Sequence, residues 1–219
     1  MVVIDSFEEL VDHLKHSFTY KSQGDNNTRV AGLLFALPNN FTKDEILVGI
    51  DYFHNRSGKT IDFFCIGYQP VANGTDHQVI TKVNGDNWYF NSAIFNHLRE
   101  QISQVTTWKY TGSVELVLFN SYLDEPNGKV VLDFSDALSI DLRKAKDEKL
   151  ISSVGEVFED VISIAEGITT DNPTKEMSLK LIANTGKKSL VSVLFNLLPK
   201  GIQDETKKIY LFGTTDYNK

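Results

Sequence analysis

Val30-Ala31-Gly32-Leu33-Leu34-Phe35-Ala36-Leu37 runs without a polar side chain and stops at Pro38-Asn39-Asn40. An unalternating apolar run of this length predicts a strand covered on both faces, at the centre of a sheet. Thr42 and Glu45 then have capping-box spacing, and Ile46, Leu47, Ile50, Phe53 and His54 share one helical face until Ser57-Gly58. A second apolar run, Ile61 to Tyr68, follows. Strand, helix and strand at this spacing make a βαβ unit, with parallel strands and a helical crossover. The fold class is α/β.

Upstream of this unit, Ser6 and Glu9 repeat the capping-box spacing, and Phe7, Leu10, Val11, Leu14 and Phe18 form one helical stripe. Downstream, Gln69 to Asn87 reads as loop, with turn signals at Asn73-Gly74 and Asn84-Gly85 and a short strand Gln78 to Val83. A helix carries Phe90, Ile94, Leu98, Ile102 and Val105, and Val114 to Asn120 is a strand. The turn Asp124-Glu125-Pro126-Asn127-Gly128 leads into Val130 to Leu142. There the even positions are apolar and the odd ones mostly polar, apart from Asp136. Period two predicts a strand with one wet face, interrupted at Asp136 by a bend that turns that side chain to solvent. Leu150 to Ala165 is a strongly amphipathic helix whose acids, Glu156, Glu159, Asp160 and Glu166, form a solvated face.

The division expected is a core over residues 1–170 and a helical extension over 171–219 packed on it. The extension begins at Asp171-Asn172-Pro173 and holds two helices around Gly186, the second with Leu190, Val191, Leu194, Leu197 and Leu198. Ile209 to Phe212 reads as a short terminal strand. With its leading and trailing helices, the whole is a three-layer, mixed-sheet architecture. Its order, βαβ, helix, β-hairpin, helix, resembles that of a thioredoxin-like fold. The resemblance implies thiols on the turn after the first strand in redox members, and here that turn, Pro38 to Thr42, holds no cysteine.

Composition narrows the function classes. Of 219 residues, 41% are hydrophobic and 23% charged, as in a globular chain. Twenty-nine acids against 22 bases give a net charge of −7, with only four arginines, which disfavours nucleic acid and anionic membrane as partners. The single cysteine, Cys65, rules out a disulfide framework and a CxxC pair, and among Phe63, Phe64 and Ile66 it reads as a packing residue. Neither a spanning apolar segment nor a signal-like start is visible, so the cytoplasm is the expected location.

Candidate chemistry is sparse. Asp51 precedes His54 by one helical turn, the spacing by which an acid orients an imidazole base. Asp136 is the remaining acid of interest, but no metal site or cofactor is expected. Any ligand pocket should open at the carboxyl ends of the parallel strands, near Asn39, Asn40 and Gln69. Trp88 and Tyr89, aromatic residues on a polar loop, are candidate partner anchors. Arg56 to Thr60 contains Gly-Lys-Thr, yet it runs from helix into strand, the reverse of a phosphate-binding loop. The expected function is a non-redox binding or protein-interaction module within a larger assembly, with a protein partner or a second copy as its ligand. The alternative is a small hydrolase or transferase using carboxylates and His54.

Overall fold

The computed structural model describes residues 1–4, 6–21, 28–57, 60–70, 78–83, 86–106, 108–168 and 172–184. The turn signals at Asn73-Gly74 and Asn84-Gly85, the helix after Gly186 and the strand at Ile209 lie outside them, while the helix before Gly186 is described.

The apolar runs become adjacent central strands. β1 (Val2–Ile4), β2 (Thr28–Phe35) and β3 (Asp62–Ile66) are parallel, in the order β1-β3-β2. β7 (Glu115–Asp124) runs antiparallel beside β2, and β8 (Lys129–Asp141) closes the edge as its hairpin partner. The result is a five-stranded mixed sheet, β1-β3-β2-β7-β8. The chain therefore starts on a strand, not on a helix. β1 is short, and its pairing with β3 is long-range, so no local pattern announces it.

Helices cover both faces, as two-sided burial of β2 and β3 requires. On one face lie α1 (Phe7–Lys21), whose His13 ring is 6.2 Å from Phe64, and α4 (Ser92–Val105), whose Phe95 meets Phe35 edge-on. The other face is covered by α3 (Ile50–Ser57), α6 (Val154–Glu166) and α7 (Pro173–Asn184). There Phe158 stacks on Phe53 and meets Phe63 edge-on, centroids 4.4 and 4.8 Å away. Between β2 and α3 sit α2 (Asn40–Glu45) and a 3-10 turn at Leu47–Gly49, so the crossover helix is broken into pieces. Its cap is Asn39 rather than Thr42: the Thr42 amide donates to Asn39 Oδ1 at 2.9 Å. α5 (Leu142–Asp147) follows β8 directly. None of the described helices is long and apolar enough to cross a membrane.

The stretch read as a loop holds a second sheet, β4 (Tyr68–Gln69), β5 (Gln78–Val83) and β6 (Asp86–Phe90), ordered β4-β6-β5 and antiparallel. Gly67 makes the branch from the main sheet, with φ +78 and the Asn91 amide donating to its carbonyl at 2.7 Å. A Cβ there would stand 3.0 Å from the Asn91 carbonyl oxygen, so glycine meets both the dihedral and the close approach. Phe90 ends β6 instead of starting a helix, and Asn91 caps α4 by accepting from the Ala93 and Ile94 amides.

The main departure from the periodicity lies in β8. Between the pairs Leu118↔Leu138 and Asn120↔Asp133, β7 advances two residues while β8 covers five. Three extra residues, an odd number, exchange the faces of the sheet. Leu138 and Ile140 share the Leu118 face toward α6 and α7. Val130, Leu132 and Phe134 lie on the opposite face, where Phe134 stacks on Phe119 at 4.6 Å. The alternating stripe thus serves two cores. The interruption expected at Asp136 is present, but its carboxylate does not turn away to solvent: it is half-buried and accepts from Asn172 Nδ2 at 2.6 Å.

Candidate functional site

The carboxyl ends of β2 and β3, the start of β7 and the end of β8 meet at one edge of the main sheet, where open α/β sheets place ligands. After β2 the turn Ala36 to Asn39 is tied by its own side chains. Thr42 Oγ1 and Asn39 Nδ2 both donate to the Leu37 carbonyl, at 2.8 and 3.1 Å. Tyr68 OH donates to the Ala36 carbonyl at 2.8 Å, which brings the start of β4, and so Gln69, to this edge. Burial raises the Tyr68 phenol well above its ordinary range.

At the centre is a residue that sequence reasoning missed, Glu115, which faces Phe35 across the ladder at 3% exposure. Oε1 accepts from the Thr111 amide at 2.8 Å and its hydroxyl at 2.6 Å. Oε2 accepts from Trp108 Nε1 at 2.8 Å and Ser139 Oγ at 3.4 Å. Four donors occupy the four lone-pair positions of a carboxylate, so Glu115 acts as a structural acceptor rather than as a base or ligand. Beside it, burial and then the Glu115 charge push the Tyr110 phenol up to about 12, and its hydroxyl donates to the Ser113 carbonyl at 2.6 Å. The only sequence signal for Glu115 was a lone acid entering an apolar strand.

Asp141 caps α5, accepting from the Lys144 amide at 2.8 Å and from Ser113 Oγ at 2.6 Å. α5 in turn clamps α2: Lys146 pairs with Glu45, and the Arg143 guanidinium lies 5.9 Å from the Phe41 ring centre.

The candidates from sequence are distributed as follows. Asn39 is half-buried and spent on its own turn, Asn40 is exposed, and Gln69 is buried at 8% exposure opposite Tyr89. Trp88 (8% exposed) and the half-buried Tyr89 belong to β6, not to a loop, which removes the basis for reading them as freely presented anchors. His54 is exposed rather than on the buried stripe, since within α3 the buried row is Ile50, Phe53 and Ser57 and His54 falls outside it. Partial burial of the ring holds the His54 imidazole below its ordinary range, with the amino terminus and His13 acting the same way and Asp51 and Asp62 opposing. Asp136 is not among the charges that act on it; it belongs to the Asn172 contact under α7. Cys65 is fully buried in β3 with its thiol pushed up to about 12. Among the described residues no group of three or more His, Cys, Asp or Glu is placed to hold a metal.

The acidic face of α6 is not merely solvated. Glu156 accepts from the Ser152 amide at 2.7 Å while its own amide donates to Ser153 Oγ. Glu159 and Glu166 both bind Arg56 of α3, at 3.3 and 2.7 Å. Tyr52 OH donates to Glu159 at 2.6 Å, so an exposed ring is held by the same network. Compared with known proteins, the chain matches no family model, no curated protein and no solved structure.

Proposed function

We propose that this chain is a non-redox α/β binding module that docks a protein partner within a larger assembly. The observation that carries the reading is the Val48–Tyr52 surface. Val48, on the 3-10 turn, and Tyr52, in α3, are 77% and 56% exposed. Tyr52 is fixed from behind by Glu159, itself held by Arg56. An exposed tyrosine held in place has less side-chain entropy to lose on docking, and tyrosine and arginine are the residue types that dominate interface energetics.

Strand order and the covering of both faces by helices support a thioredoxin-like core. The cysteine-free turn after β2 and the buried Cys65 support a non-redox member of that class. Two measurements test the proposal. A photo-reactive residue at position 48 of the full chain should give a discrete adduct that Tyr52→Ala abolishes, and sedimentation over a concentration range shows whether the partner is a second copy. Adducts indifferent to Tyr52→Ala, or catalysed reduction of a protein disulfide by this chain, would overturn it.

A further inference from the structure

We propose that α7 is a releasable strap, latched onto the sheet by Asp136, Asn172, Asn120 and Thr174, and that the bulge in β8 exists to carry the latch. Asn172, at the start of α7, donates to Asp136 and accepts from Asn120 Nδ2 at 3.0 Å. Asn120 Oδ1 accepts from the Thr174 amide at 2.9 Å and also from its hydroxyl. Asn172 Oδ1 further accepts from the Lys175 amide at 3.2 Å, closing the first turn of the helix. Two strands, each through one of its side chains, are thereby joined to one helix end.

The bulge is not needed by the sheet. Were Ser135, Asp136 and Ala137 removed, Phe134 would stand opposite Phe119, on which it already stacks, and both halves of β8 would keep their present faces. What the three residues contribute is the Asp136 carboxylate under α7. Beneath the helix the sheet presents Asn120, a side chain that water satisfies once α7 leaves, unlike the apolar rows under α6. Among its described side chains α7 buries Pro173, Met177 and Leu181, while Leu179 is 62% exposed. A helix whose start is held by a polar latch over a hydrogen-bonding Asn120 opens at lower free energy than the sheet it covers.

Native-state hydrogen exchange on the full chain tests this. In the wild-type protein, amides from Met177 to Leu181 should exchange at least about 10-fold faster than those of β2 and β7. Asp136→Ala should speed α7 exchange a further ~10-fold, the scale of a lost hydrogen bond to a charged group, and leave β2 and β7 unchanged. Deletion of residues 135–137 should do the same with the sheet intact. Wild-type α7 exchanging in step with β2 and β7 overturns the proposal, as does an Asp136→Ala protein whose α7 exchange is unchanged or accelerates equally with the sheet. If either variant fails to fold, the wild-type comparison decides.

Discussion

Replacing Glu115 with glutamine alters one atom in a fully occupied acceptor. Glutamine offers one oxygen where the carboxylate offers two. With the amide nitrogen in the Oε2 position, the Trp108 indole N–H loses its acceptor; in the Oε1 position, the Thr111 backbone amide does. The Ser139 and Thr111 hydroxyls can rotate to accept, but the two N–H groups cannot. One donor therefore loses its acceptor in either orientation, the buried Trp108 indole or the amide of the exposed Thr111, at a cost of about 1–3 kcal/mol. The surviving bonds lose their ionic component, which adds roughly 1 kcal/mol. The expected loss is ~3 kcal/mol, a large part of the 5–15 kcal/mol typical of a folded domain. With a urea slope of about 2 kcal/mol/M, the unfolding midpoint at pH 7 should fall by ~1.5 M. Trp108→Phe deletes the indole donor, so the double variant should be milder than the sum of the singles by at least ~1 kcal/mol. A midpoint shift below ~0.3 M for Glu115→Gln, or strict additivity with Trp108→Phe, would refute the reading.

Gly32→Ala places a methyl 2.7 Å from Phe63 Cδ1 and 3.1 Å from Leu118 Cδ2 between buried side chains, and should cost about 1–3 kcal/mol; an unchanged Tm would contradict this. Cys65 should react with a thiol reagent at pH 8 only as fast as the chain opens; labelling at the rate of the denatured chain would show that the strand is not sealed. The His54 imidazole should titrate below 6.5 when followed by NMR, and Asp51→Asn should lower the midpoint further, since the Asp51 charge opposes the shift. Because the native state favours the neutral ring, its contribution is complete above 6.5 and is lost as pH falls through the depressed midpoint. A midpoint at or above 6.5 would reverse that sign.

What could be read from sequence followed the range over which each signal acts. β2, β3 and the β7–β8 hairpin announced themselves through long apolar or alternating runs and a turn whose chemistry is local. β5 was legible to the residue. β6 was not, although Trp88-Tyr89-Phe90 is rich in strand-forming aromatics after an Asn-Gly pair, because Phe90 also fitted a helical stripe. Parity located β8 to within one residue but misassigned half its side chains, since alternation cannot register an odd insertion. The polar clusters were illegible for a different reason. Glu115 depends on Trp108, Thr111 and Ser139, and Asp136 on Asn172, partners that only the assembled sheet and helices bring into range.

The central position of β2 has a consequence for synthesis. Its partner on one side, β3, follows after a short crossover, but its partner on the other, β7, ends its pairing at Tyr122. At ordinary elongation rates that segment emerges roughly 5–20 s after Phe35. Throughout this interval the most apolar strand of the nascent chain has a bare hydrogen-bonding edge, the geometry that recruits other chains. Ribosome-arrested chains ending before β7 should bind chaperones that chains extended past β8 release; equal binding by both would rule out this exposure.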